Sequence, residues 1–286
     1  MSKKKDQTPP ILKLLQWGFP KLEFVFPYLA HRLFLQLFFT PINYNRPEKE
    51  GKAESFSQTF NLNINGKQVH GYRWGTEGKV VMCIHGWAGR GTQFRRFVKP
   101  LLKAGYQVIA FDGPAHGKSQ GKRTNILEFE EVLKALVEKF GAPEAVIAHS
   151  FGGGVGLFAA MNGLPIKTLI NIASPTIGEK IVDTYIKAIG ASDKTRAFFE
   201  KEVIKRYGKP FYEYTALHFI TQLKNDINLL LVHDEDDKEV SIDHPLALIE
   251  KYPQAQLYRT SGLGHTRILK DDVVIKKCVD FILLAG

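Results

Sequence analysis

Residues 145–154, AVIAHSFGGG, decide the fold of this chain. An apolar run that fits a buried strand leads directly into Ser150, and small residues that suit the start of a helix follow. A sharp turn from strand to helix forces a serine hydroxyl out above a sheet, and it tolerates only small residues two positions before and after that serine. Ala148 and Gly152 occupy these positions, with alanine where glycine is usual. The pattern predicts a nucleophile elbow at Ser150.

Short apolar runs alternate with helical patterns on both sides of this stretch. The strand patterns cover residues 80–84, 107–111, 145–148, 168–173, 228–232 and 255–260. The helical patterns cover residues 92–104, 124–140, 151–162, 241–251 and 270–284. Strands that are apolar at every position belong in a sheet covered on both faces. The alternation therefore predicts an α/β fold with a mostly parallel central sheet flanked by helices, and Asn65-Gly66 ahead of it predicts a two-residue hairpin turn.

One connection in this alternation is too long for a simple crossover between strands. We expect residues 176–225 to form an inserted helical cap, which divides the core into residues 51–175 and 226–286. Residues 1–50 are predicted to be an N-terminal helical extension and linker, with the polar run 48–55 as the connection to the core.

The N-terminal segment has features of a signal or membrane anchor but fails the tests for either. Lys13, Lys21 and Glu23 interrupt its apolar residues, and no small-residue cleavage site follows. Its best apolar stretch, residues 28–39, is shorter than the ~20 residues that a spanning helix needs. Apolar residues at steps of three and four predict an amphipathic helix, formed by Leu29, Leu33, Phe34, Leu37 and Phe38. We expect this helix to pack on the body of the protein, with docking at the inner membrane surface as the alternative.

Charge and cysteine content narrow the class of protein. The formal net charge is +10, but the basic residues are scattered apart from Lys3, Lys4 and Lys5, and no helix-turn-helix or zinc-finger spacing is present. We therefore expect no nucleic-acid partner. Cys83 lies in an apolar run and Cys278 in a helical pattern, so a disulfide scaffold is excluded and a cytoplasmic location is expected.

A serine nucleophile needs a base and an acid that orients the base. Among nine histidines, His265 follows the last strand pattern, so it would lie at the same sheet edge as Ser150. The segment HDEDDKEV at 233–240 supplies the acid, and we assign Asp237 because it precedes the small apolar Val240 by three residues. Asp234 and Asp236 remain alternatives in the same loop.

A tetrahedral intermediate also needs backbone donors for its oxyanion. The residue after the nucleophile, Phe151, would supply one N–H, and Trp87 in the loop after the strand at 80–84 would supply the other. Arg90 is expected to stabilise this loop or to contact an anionic substrate group. We expect no metal, because the acidic segment lacks a spaced set of histidines, and no cofactor, because no phosphate-binding loop is present.

Together these residues resemble the α/β-hydrolase superfamily, in particular its cofactor-free branch of serine esterases and lysophospholipase-like proteins. The resemblance covers residues 56–286. It rests on the motifs HGW at 85–87, FDGPAHGKSQG at 111–121, AHSFGG at 148–153, HDEDDKEV at 233–240 and GLGH at 262–265. It implies structural roles for Asp112, His116 and Ser119, and the segment ending LFFTP looks like an extension found in some bacterial members.

The order Ser150, Asp237, His265 is the one expected for this fold. The resemblance implies hydrolysis of a small-molecule carboxylic ester or thioester through an acyl-enzyme, with the cap selecting the acyl chain. One alternative is a ligand-binding or interaction protein on a hydrolase scaffold, because this fold also hosts proteins without catalysis. A second alternative is a lipase or lysophospholipase that works at the membrane surface.

Overall fold

We describe the protein from a computed structural model, in which the described residues are 10–42 and 46–285. Its strands are β1 Gln58–Ile64, β2 Lys67–Trp74, β3 Val80–Ile84, β4 Gln107–Phe111, β5 Ala145–His149, β6 Thr168–Ile172, β7 Asn228–Asp234 and β8 Gln256–Thr260. Its α-helices are α1 Pro10–Val25, α2 Pro27–Phe38, α3 Glu48–Ser55, α4 Arg95–Lys103, α5 Ile126–Phe140, α6 Phe151–Met161, α7 Gly178–Ile189, α8 Asp193–Tyr207, α9 Ala216–Thr221, α10 Asp243–Lys251, α11 Gly264–Arg267 and α12 Asp272–Ala285.

The chain divides into two compact units. The helical unit combines the residues up to Phe39 with Gly178–Glu213. The second unit combines Thr40–Ile177 with the residues from Tyr214 onward, and we name it the hydrolase unit after the family that its motifs resemble. The helical unit therefore contains α1, α2, α7 and α8, whereas α9 lies in the hydrolase unit. The cap assignment of residues 176–225 stays a prediction.

The hydrolase unit is built on a sheet of eight strands in the order β1-β2-β4-β3-β5-β6-β7-β8. β2 pairs antiparallel with β1 and β4, and all the other pairs are parallel. The hairpin turn is confirmed, since Asn65 and Gly66 both have positive φ, 50° and 79°. The mostly parallel α/β fold predicted from the sequence is confirmed.

Apolar cores cover both faces of this sheet. Met82 and Ile84 of β3 pack on one side with residues of α5 and α6. Val81 and Cys83 pack on the other with residues of α4 and α12, among them Cys278. Cys83 and Cys278 are both buried free thiols. Because neighbouring side chains of a strand point to opposite faces, a strand between two cores must be apolar at every position.

The prediction that residues 48–55 form a linker is wrong, because they form α3. Glu50 on this helix is 5% exposed, accepts a hydrogen bond of 3.0 Å from the Thr92 hydroxyl, and lies 3.2 Å from the Arg90 guanidinium. Glu54 forms ion pairs with Arg46 and Lys118. A polar sequence thus forms a helix here because its carboxylates meet cations from the core of the same unit.

In the helical unit, α1 packs on α2 and α7, and α2 packs on α8. Phe199 of α8 is fully buried, with its ring centroid 4.5 Å from that of Phe38 and 5.8 Å from that of Phe34. Of the predicted apolar face of α2, Phe34 and Phe38 are buried, Leu33 and Leu37 are partly buried, and Leu29 is exposed. Throughout the described ranges, no helix is both long enough and apolar enough to cross a membrane.

Substitution of Phe199 tests the core of the helical unit. Phe199→Ala removes a fully buried ring and should destabilise the unit by ~3–5 kcal/mol, seen as a lower urea midpoint. Phe24→Ala is the matched control within the same unit, because Phe24 is 90% exposed and should change the midpoint little. Equal midpoints for the two variants would contradict this account of the core.

Three buried histidines of the hydrolase unit should make it sensitive to acid. Burial lowers the pKa of His85 to about 4 and those of His116 and His149 to about 3, so the folded unit keeps all three rings neutral. The unfolded chain protonates histidine near pH ~6.5. Between that value and pH ~4 the unfolded state binds more protons, so the free energy of unfolding should fall as the pH falls.

In that window, each of these histidines lowers the free energy of unfolding by ~1.4 kcal/mol per pH unit as the pH falls. The three together lower it by ~4 kcal/mol per pH unit. Urea unfolding at a series of pH values measures this slope. His116→Gln keeps an acceptor for the Ala88 N–H, which lies 3.1 Å from His116 Nε2, and should reduce the slope by about a third. A free energy of unfolding that is constant between neutral pH and pH ~5 would show that the rings are not held neutral.

Candidate active site

Ser150 lies at a strained turn between β5 and α6. Its backbone has φ 51° and ψ −124°, a conformation that residues other than glycine rarely adopt. A Cβ on Gly152 would lie 2.4 Å from the carbonyl oxygen of Ile84, so only glycine fits there. Ala148 is fully buried and is accommodated at the other small-residue position. The turn predicted from AHSFG is therefore present, and it raises the serine above the sheet.

The structure brings the side chains of Ser150, His265 and Asp237 together. His265 Nε2 lies 3.1 Å from Ser150 Oγ, and His265 Nδ1 lies 2.8 Å from Asp237 Oδ2. Ser150 follows β5, Asp237 follows β7 and His265 follows β8, so all three sit beyond the carboxyl ends of parallel strands. The imidazole can accept the serine proton at one nitrogen while the carboxylate holds the other.

Asp237 is held as a carboxylate by its neighbours. Its side chain is fully buried, and Oδ1 accepts hydrogen bonds from the backbone N–H groups of Glu239 at 2.8 Å and Val240 at 3.0 Å. Burial raises the pKa of Asp237, but the hydrogen bond from His265 and those from the backbone outweigh burial and bring the pKa below its ordinary value. The spacing of Asp237 and Val240 thus reflects an N–H donor that faces the carboxylate.

The two rival acids contact the loop that carries His265 and not its ring. Asp234 Oδ2 accepts hydrogen bonds from the Thr260 hydroxyl at 2.7 Å and the Leu263 N–H at 3.0 Å. Asp236 Oδ2 accepts from the Ser261 hydroxyl and from the Gly262 N–H, each at 2.8 Å. These acids anchor the backbone of residues 260–263.

His149 contacts the backbone of the candidate base. Its Nε2–H donates a 2.9 Å hydrogen bond to the carbonyl oxygen of His265, and the two ring centroids are 4.9 Å apart. Because its pKa is lowered to about 3, His149 stays neutral and does not place a second positive charge beside His265. The sequence pattern does not indicate this contact, since adjacency to Ser150 says nothing about a residue 116 positions away.

The two predicted oxyanion donors lie on segments that meet at Ser150. Phe151 is the first residue of α6, and Trp87 lies in the loop after β3. A Cβ on Gly86 would lie 2.8 Å from Ser150 Cβ, so this loop passes directly beside the serine. Across the described ranges, neither the Phe151 nor the Trp87 N–H donates a hydrogen bond to another residue. Both amides therefore lack a hydrogen-bond acceptor among the residues that the structure describes.

The loop that carries Trp87 is fixed from below by polar side chains. His116 Nε2 accepts from the Ala88 N–H at 3.1 Å, and Asp112 Oδ1 accepts from the Gly91 N–H at 2.9 Å. The Arg90 guanidinium lies against Glu50 of α3. Ser119 donates its hydroxyl proton to the Asp112 carbonyl oxygen at 2.5 Å. The contacts of His116, Asp112 and Glu50 hold the loop in place, and Ser119 bonds to the backbone of Asp112.

Similarity to known proteins agrees with this geometry. Residues 79–187 match the family model described as the alpha/beta hydrolase fold. An uncharacterised hydrolase of Bacillus subtilis is 26% identical over 74% of this chain and 93% of its own length. A serine hydrolase-like protein of Danio rerio is 31% identical, but over only 36% of this chain and 33% of its own length.

Solved structures give the same fold. An esterase of Pyrococcus furiosus superposes with a TM-score of 0.65 over 86% of this chain and 97% of its own, at 20% sequence identity. Identity at that level establishes the architecture and does not establish the substrate. The sheet order, the strained serine turn and these similarities agree: the chain has the α/β-hydrolase fold.

Proposed function

We propose that this protein is a serine hydrolase that cleaves a carboxylic ester or thioester through an acyl-enzyme formed on Ser150. The observation that carries the proposal is the continuous contact from Ser150 Oγ through His265 to Asp237, at 3.1 and 2.8 Å. A serine hydroxyl is a weak nucleophile until a base takes its proton, and this contact supplies the base and its orienting acid.

In the first step, Ser150 Oγ attacks the acyl carbon while its proton passes to His265 Nε2. The resulting imidazolium is stabilised by the Asp237 carboxylate, which also keeps the ring in the tautomer with hydrogen on Nδ1. The imidazolium then gives its proton to the leaving group, which is the oxygen of an alcohol or the sulfur of a thiol, as the acyl bond breaks. Water next attacks the acyl-enzyme while His265 takes a proton from it. His265 then returns this proton to Ser150 Oγ, and the carboxylic acid is released.

The developing oxyanion would be stabilised by the N–H groups of Phe151 and Trp87. In comparable sites, one such donor is worth ~3–4 kcal/mol of transition-state stabilisation. The lack of an acceptor for either amide within the described ranges supports this assignment, because neither must break a bond to turn toward the substrate. The positions of His116, Asp112 and Glu50 beneath the loop support a preorganised site.

Ser150→Ala tests the nucleophile. The variant should lose labelling by a fluorophosphonate probe, and its kcat on p-nitrophenyl esters should fall by a factor of about 10⁶. Ser241→Ala is the matched control, because Ser241 is an exposed serine and its loss should leave labelling and kcat unchanged.

The same measurements separate the alternatives. The wild-type protein is assayed on esters from acetate to palmitate to find its preferred acyl chain. The opposite outcome is folded wild-type protein that binds a small molecule tightly and shows neither labelling nor turnover of any ester. This result would contradict the hydrolase proposal and favour a binding protein on this scaffold.

A second series tests which acid serves His265. Asp237→Asn should lower kcat by a factor of about 10⁴ with little change in KM, because the amide favours the wrong tautomer of the ring. Asp236→Asn is the matched control from the same loop and should lower kcat less than about tenfold, since Asp236 binds only Ser261 and Gly262. A larger loss for Asp236→Asn than for Asp237→Asn would refute our choice of acid.

A further inference from the structure

The helical unit exposes an unusual concentration of large apolar side chains. Of the fifteen large hydrophobic residues that are most exposed in the described ranges, seven lie between residues 14 and 29. They are Leu14, Trp17 and five residues of the segment 24–29, and we name this set the apolar corner. Phe24 is 90% exposed and Trp17 is 65% exposed. Clustering on this scale on a protein surface indicates an interaction site.

The orientation of the apolar corner is set by the opposite side of the same helices. Phe19 and Phe34 are buried with their rings 6.5 Å apart, and Phe34 packs on Phe199. Glu23 accepts hydrogen bonds from the hydroxyl of Ser192 at 2.5 Å and that of Thr195 at 2.6 Å. The packing of these helices thus rests mainly on their buried residues. Among the exposed residues, Tyr28 also contacts Phe198 of α8, with ring centroids 6.2 Å apart.

The charges in the sequence around the apolar corner are mainly positive. Lys13 and Lys21 are exposed on α1, and Lys21 Nζ lies 3.4 Å from the centre of the Trp17 ring. Glu23 is the only acidic residue between positions 10 and 29, and it is turned toward Ser192 and Thr195. The sequence before α1 contains Lys3, Lys4 and Lys5 and one acid, Asp6, so residues 1–29 carry five lysines and two acidic residues. An exposed apolar surface with an excess of lysines over acids complements an anionic surface.

The shape of the apolar corner favours a lipid bilayer over a protein partner. Leu14, Trp17, Lys21 and Phe24 follow one another by three or four residues along α1, so they share one face. Beyond them, residues 24–29 run through the junction of α1 and α2, where successive side chains cannot share one face. A fluid acyl layer accommodates bulky side chains that point in several directions, whereas a protein surface would need a pocket for each. Tryptophan and lysine together suit the headgroup layer.

We propose that the apolar corner docks the protein on an anionic membrane surface as a peripheral contact. Phe24, Val25 and Phe26 enter the acyl boundary, and Lys21 beside Trp17 contacts anionic headgroups. The proposal is independent of the chemistry at Ser150, because every residue in it belongs to the helical unit.

Vesicle sedimentation of the full-length protein tests the proposal. Wild-type protein should partition onto vesicles of phosphatidylcholine mixed with phosphatidylglycerol, and at least about tenfold more weakly onto phosphatidylcholine alone or at high salt. Phe24→Ser combined with Phe26→Ser should weaken partitioning at least about tenfold. Leu283→Ser combined with Leu284→Ser is the matched control, because Leu284 is 88% exposed in the hydrolase unit, and it should bind as the wild type does.

Tryptophan fluorescence gives a second, independent measurement. The emission of Trp17 should shift to shorter wavelength on binding to anionic vesicles. Trp17→Phe should lose most of that shift, since the other two tryptophans, Trp74 and Trp87, lie in the hydrolase unit. Circular dichroism and hydrolysis of a soluble ester check that each variant is folded, and these are expected to stay unchanged.

Three results would overturn the proposal. They are absence of wild-type binding to anionic vesicles, equal binding of the double phenylalanine variant and the wild type, or wild-type self-association that the phenylalanine substitutions abolish while vesicle binding persists. The last result would assign the apolar corner to a second copy of this chain.

Discussion

The close approach between Gly152 and the end of β3 is the constraint on which the rest of the hydrolase unit depends. A side chain at position 152 would collide with the Ile84 carbonyl oxygen, so only glycine lets the start of helix α6 lie this close to β3. The chain reaches this position through the sharp turn at Ser150. The strained backbone of Ser150 costs ~1–3 kcal/mol, and it is held by its N–H bond to the Ile172 carbonyl and by the Ser174 hydroxyl bonded to its own carbonyl. The packing of β3, β5 and β6 around this strained turn thus fixes the position of the Ser150 hydroxyl.

Much of the hydrolase unit could be predicted from the sequence because the deciding signals are local. Strands between two cores are apolar at every position, and Asn65-Gly66 suits a turn with two positive φ angles. The meeting of Ser150, Asp237 and His265 could also be predicted, since residues after neighbouring parallel strands share one edge of the sheet. The choice among the acids was harder. It depended on the Val240 N–H, which faces Asp237 and not Asp234.

What could not be predicted depends on partners that are distant in the sequence. Helix α3 has a polar sequence, and it is stable because Glu50 meets Arg90 and Thr92 some forty residues later. The bond from His149 to the His265 carbonyl joins residues whose separation hides any pattern. Leu29 is expected to be packed but is exposed, because α8 covers the face of α2 that carries Phe34 and Phe38.

The helical unit is discontinuous, and this affects how the protein is made. Helices α1 and α2 find packing partners in α7 and α8, which lie in Gly178–Glu213. At the usual rate of translation, its apolar faces would wait roughly 10 to 30 seconds for those partners to be synthesised. During that interval the nascent chain presents Phe19, Phe34 and Phe38 to the crowded surroundings of the ribosome. Chaperones, or early contact with a membrane, would then have a part in biosynthesis that the finished fold no longer reveals.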